Sequence, residues 1–103
     1  MSYIKSTSSP GTTNSGTTTV DFGSTGSTDV TTNVTGQTGI LTTSSVSTVI
    51  LVKSSSNHTA DEHWVENPNV AVGNIVAGTG FTIYASTNNF PLVGIFNISW
   101  MWV

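Results

Sequence analysis

From Thr17 onward, apolar side chains tend to recur at every second position, and short clusters of turn residues interrupt them. Thr17–Phe22 predicts a strand with Val20 and Phe22 on one face, closed by the turn Gly23-Ser24-Thr25-Gly26-Ser27. Asp29–Thr35 alternates again, with Val30 and Val34 facing one way and Thr31, Asn33 and Thr35 the other. After Gly36-Gln37-Thr38-Gly39, Ile40-Leu41 opens a short segment that ends at Thr43-Ser44. Ser45–Lys53 holds Val46 and the run Val49-Ile50-Leu51-Val52. It is rich in β-branched residues and apolar on both faces, which predicts a central strand. Asn67-Pro68-Asn69 breaks the chain, and Val70–Val76 resumes it around Gly73, where a bulge or bend is expected. Phe81–Ala85 follows the turn Ala77-Gly78-Thr79-Gly80. Thr87-Asn88-Asn89 turns once more. The last strand, Gly94–Val103, sends Phe96, Ile98, Trp100 and Trp102 one way and Ile95, Asn97, Ser99 and Met101 the other. Seven to eight short strands joined by short turns, with no helical period over a useful window, predict an all-β domain at 17–103. The spacing suits an antiparallel β-sandwich of jelly-roll type.

Residues 1–16 read differently. Behind Tyr3 and Ile4, positions 6–16 carry no apolar side chain, so the segment has nothing of its own to bury. It is expected to be an extended arm or linker, with Tyr3 and Ile4 at its tip as anchors on a neighbour or as part of a frayed end.

Composition narrows the function classes. Of the 103 residues, 34 are Ser or Thr, and only 7% are charged. Strong helix formers are correspondingly scarce, which excludes a helical bundle. Mean hydropathy of +0.09 and a net charge of −3 are unlike a disordered chain. Two Lys and no Arg cannot build a cationic face for phosphates, so no nucleic-acid partner is expected. Without Cys there is neither a disulfide nor a thiolate metal site. A small domain lacking both staples is expected to lean on partner subunits. No apolar run follows Lys5 to suggest a signal peptide, and Val49–Val52 is too short to cross a bilayer.

Chemistry concentrates in Asn57-His58-Thr59-Ala60-Asp61-Glu62-His63-Trp64-Val65-Glu66, which holds both His and three of the five acids. His58, Asp61 and His63 are metal-ligating types, yet their spacing matches no standard site. The competing reading is a loop in which Asp61 caps a turn and the imidazoles bond to backbone carbonyls. Asp61 and Glu62 are adjacent, so in an extended chain they face apart and form no carboxylate pair. No G-x-S-x-G elbow is present, and Gly78-Thr79-Gly80 has no Lys after it to make a phosphate loop. No enzymatic activity and no cofactor are expected.

Trp64, Trp100 and Trp102 form the third group. They could stack on sugar rings or serve in core and interface packing. Trp100 and Trp102 share a face with Phe96 and Ile98, which favours core or a subunit contact; Trp64, in a polar stretch, is the more exposed. Sequons stand at Asn33, Asn57 and Asn97, a number that the abundance of Ser and Thr makes expected by chance.

One ordered series of motifs is distinctive. Val20-Asp21-Phe22-Gly23 precedes Val34-Thr35-Gly36-Gln37 with Ile40, followed by His58-Thr59-Ala60-Asp61-Glu62-His63. Ile75-Val76-Ala77-Gly78-Thr79-Gly80-Phe81-Thr82-Ile83 comes next, and Trp100-Met101-Trp102 ends the series. Over 17–103 it resembles a family of small tailed-bacteriophage virion structural proteins, decoration or fibre-like β modules. The resemblance implies a virion component present in symmetric copies. With the composition, the expectation is a non-enzymatic structural protein that associates as a homotrimer and docks on other virion proteins of capsid, neck or tail. It implies release by lysis, for which no signal peptide is needed. The alternative expectation is a carbohydrate-binding module that recognises host surface glycan through Trp64 and its surroundings.

Overall fold

The computed structural model describes residues 14–87 and 90–103. In chain order its elements are β1 (Asn14–Asp21), β2 (Asp29–Val34), β3 (Val46–Ile50), α1 (Ala60–Glu66), β4 (Asn69–Val76), β5 (Gly80–Ser86) and β6 (Ile95–Trp102). The strands form two antiparallel three-stranded sheets, ordered β1-β6-β3 and β2-β5-β4.

The aromatic strand β6 is central in its sheet. Its inward row is Phe96, Ile98, Trp100 and Trp102, all buried. On one side these pair with Val20, Thr18, Gly16 and Asn14 of β1; on the other, Ile98, Trp100 and Trp102 pair with Ile50, Thr48 and Val46 of β3. Gly16 is required by its neighbour: a Cβ there would lie 2.5 Å from Cζ2 of Trp100, so the indole lies where any other residue would place its side chain. The second sheet is built likewise around β5. Ile83 pairs with Thr32 and Val72, and Ala85 with Val30 and Val70. The two inner faces share one core, in which Phe81 of β5 meets the edge of Trp100 of β6 at 5.5 Å between ring centroids. Phe22, just past β1, meets Phe96 at 5.7 Å in the same edge-to-face manner. Each such side chain contributes about 2–3 kcal/mol through lost apolar exposure, and the ring pairs somewhat more.

Three expectations are corrected. Among the described residues there are six strands rather than seven or eight, because Ile40-Leu41 is not a strand: Ile40 is buried from a loop, while Leu41 is exposed. The run ending in Val52 is an edge strand, not a central one. It leaves the sheet at Ile50, and Val49 and Val52 face outward, so its two apolar faces reflect one core face and one surface face. Finally, the His-rich stretch is helical from Ala60 to Glu66. Seven residues are too few for a 3.6-residue period to stand out, but the helix carries its own start and stop signals. The bend expected at Gly73 is present as a register shift between Gly73 and Val76, with Asn74 at φ 51°.

Asn14, Ser15 and Gly16, which the composition groups with the arm, belong to β1 and pair with Trp102, Met101 and Trp100. The rest of that segment, including Tyr3 and Ile4, lies outside the described residues. No helix among the described residues is long and apolar enough to cross a membrane.

Candidate functional site

The site is built on the edge of β6 that β3 abandons. At the last shared rung, the Leu51 N–H donates to the Asn97 carbonyl at 3.0 Å. The reciprocal bond, which a continuing strand would supply, is made instead by a side chain: the Asn97 N–H donates to Nε2 of His63 at 3.0 Å. One rung further, the Ile95 N–H donates to Oδ1 of Asn57, and the Ser55 hydroxyl donates to the Ile95 carbonyl. The Asn97 amide in turn donates to the Lys53 and Ser54 carbonyls. Residues 53–63 thus satisfy β6 with side chains where an edge would otherwise stand open.

The helix that delivers His63 is specified locally. Thr59 is its N-cap, accepting from the Glu62 N–H at 3.1 Å, while Glu62 Oε1 accepts from the Thr59 N–H at 2.9 Å. This reciprocal T-x-x-E box satisfies two otherwise orphaned donors. Asn67 ends the helix in the left-handed region, donating its N–H to the His63 carbonyl, and Pro68 prevents continuation.

His63 is fully buried. Its Nδ1–H donates to the Thr59 carbonyl at 2.8 Å, and its Nε2 accepts from Asn97. Both nitrogens are committed in the neutral tautomer, so this ring is structural and offers no lone pair to a metal. Asp61 is exposed in the first turn of α1 and joins neither imidazole. The trio His58, Asp61, His63 is therefore not brought together; the cluster that forms is His58, Glu62 and Glu66.

His58 lies flat against Phe96, with ring centroids 4.3 Å apart at 25°, and meets the edge of His63. Its Nε2–H donates to the Val93 carbonyl. Its Nδ1 is turned toward two carboxylates, 3.1 Å from Glu62 Oε1 and 3.9 Å from Glu66 Oε2. The Thr59 N–H, and after it the His58 ring, hold the Glu62 carboxyl below its usual range. Among the described residues, the side-chain partners of the two rings are carboxylates and the Asn97 amide, a donor set that suits an ion. Glu62 and Glu66 were missing from the sequence-derived ligand set; the T-x-x-E box and the spacing 58, 62, 66 were the signals that could have found them.

The tryptophans divide. Trp100 and Trp102 are inside the core, where Trp102 Nε1 donates to Gln37 Oε1 at 2.9 Å. Trp64 is 71% exposed. It flanks a cleft with Val49, Val52 and Pro68, and a second cleft on the other side of Asn67-Pro68-Asn69 is lined by Val65, Phe90 and Leu92. Trp64, Val65 and Phe90 are all largely exposed, so the end of α1 carries a belt of apolar surface.

No family model, no curated protein and no solved structure matches this chain.

Proposed function

We propose that the chain is a non-enzymatic structural component of a bacteriophage particle, which associates with copies of itself as a trimer and docks on other virion proteins. In this reading the two sheets are a small β-sandwich of jelly-roll kind. The strand order supports it: β1 lies beside β6 and β2 beside β5, with β3 and β4 next to those, as when a long hairpin folds over on itself, here with six strands instead of eight. The observation that carries the reading is the belt around Pro68, where Trp64 stands exposed beside the edge strand β3 and Val65 and Phe90 stand exposed over the adjoining cleft. Large exposed apolar side chains grouped around two adjoining clefts suit burial against another protein. The ordered motif series supports the virion setting, with synthesis in the host cytoplasm and release by lysis. The segment before β1 is the docking arm, and Tyr3 and Ile4 are its anchors.

Deleting residues 1–13 tests the docking role without touching β1. The truncated chain is expected to keep the circular dichroism of the full one and to be lost from assembled particles. Normal incorporation would overturn the role of the arm.

A second reading rests on Trp64 alone: a largely exposed indole beside a cleft is the arrangement with which aromatic residues hold sugar rings, here host surface glycan. Specific glycan-array binding that vanishes in Trp64→Ala would replace the first reading with this one.

A further inference from the structure

The hydrogen-bond count at His58 closes in only two ways, with a second proton on the ring or with a metal ion in that proton's place. The ring is wedged between Phe96 and the edge of His63, its side chain is 8% exposed, and its Nε2–H is committed to the Val93 carbonyl. That bond fixes the tautomer and leaves a lone pair on Nδ1. Yet Nδ1 faces only acceptors, the carboxylates of Glu62 and Glu66. Three electron-pair donors converge there, and a cation must stand among them: a second proton on the ring or a metal ion.

We propose that His58 Nδ1, Glu62 and Glu66 form a binding site for a divalent first-row transition cation, of which Zn²⁺ is the representative. The ligand atoms lie within 4.8 Å of one another. Bonds of about 2.1 Å in a tetrahedral shell require ligand–ligand edges of about 3.4 Å. The separations of 3.1 and 3.9 Å from Nδ1 bracket that value, and Glu66, whose side chain is 32% exposed, closes the difference by rotation. One imidazole nitrogen with two carboxylate oxygens selects such an ion over Mg²⁺ or Ca²⁺, which take oxygen shells. A ring whose other N–H is held by a backbone carbonyl is the usual outer support of a metal-bound His. Water completes the shell on the open side. The ion would tie the first and last turns of α1 to the loop bearing Val93, a staple for a chain without Cys. This goes beyond the structural reading above and stands or falls separately.

The test uses untagged, chelator-stripped full-length protein titrated with ZnCl₂ at pH 7.5 by calorimetry, with ring-nitrogen NMR. Glu62→Gln keeps an acceptor for the capping box, and Glu66→Gln changes one atom at a partly exposed position, so both variants should fold without metal, with Glu62→Gln melting below wild type by the lost carboxylate charge alone. Wild type is expected to bind one Zn²⁺ per chain, to shift the Nδ1 resonance of His58 rather than either nitrogen of His63, and to lose at least about tenfold in affinity in each Gln variant. No saturable binding would overturn the site and leave the proton as the cation. Equal affinity in wild type and both variants would overturn it by placing the ion elsewhere.

Discussion

His58 and His63 are five residues apart, and the structure gives them opposite tasks. His63 is buried with both nitrogens matched to one acceptor and one donor, which a neutral ring satisfies completely. His58 meets only acceptors, so its site attracts positive charge. The charge of Glu62 is part of that arrangement. Its carboxyl is held below the ordinary value near 4.5 first by the Thr59 N–H and then by His58. A lowered folded-state value contributes stability that is present above the unfolded value and is lost as pH falls through the folded one. Wild type should therefore be more stable than Glu62→Gln above about pH 5, and the two should converge as pH falls below the unfolded value and through the lowered folded one. Denaturant melts of both chains across that range check it; a difference that stays constant with pH would show that the carboxylate charge plays no part. The residue types at this site were legible in the sequence, since all three acids and both His near it stand out from a chain with 7% charged residues. Their partnering was not. It depends on Val93 and Asn97, more than thirty residues downstream, whose backbone groups fix which nitrogen of each ring carries the proton.

At the scale of elements, the strands with one buried face were the readable part. The period of two placed Val20 and Phe22 together, and Phe96, Ile98, Trp100 and Trp102 together, and all six are buried. What failed was inference from a continuous apolar run. Val49-Ile50-Leu51-Val52 resembles an interior strand, yet β3 sits at the edge because the chain must leave the sheet to form α1. The helix was hidden by its length, although Thr59 and Glu62 mark its start. Its role in the sheet gives a direct expectation. His63→Ala removes a fully buried ring and strands the Asn97 N–H on the β6 edge. The combined cavity and unsatisfied donor should cost about 3 kcal/mol or more. Chemical unfolding should show it as a lower midpoint, with Asn97 among the amides that lose exchange protection. A loss below about 1 kcal/mol would mean that α1 merely covers the edge and does not complete it.

For the whole molecule, two three-stranded sheets share a core of buried aromatic and β-branched side chains, with no disulfide to add to it. Such a domain is small for independent stability. It also keeps Trp64 and Phe90 71% and 75% exposed around Pro68. Self-association answers both features at once, since covering that belt removes apolar surface from water and gives each copy a larger core. Analytical ultracentrifugation of the full chain at micromolar concentration addresses this most directly. The account predicts a species of three 10.7 kDa chains, which Trp64→Ser with Phe90→Ser converts to monomer. A wild-type chain that sediments as a well-folded 10.7 kDa monomer would contradict it.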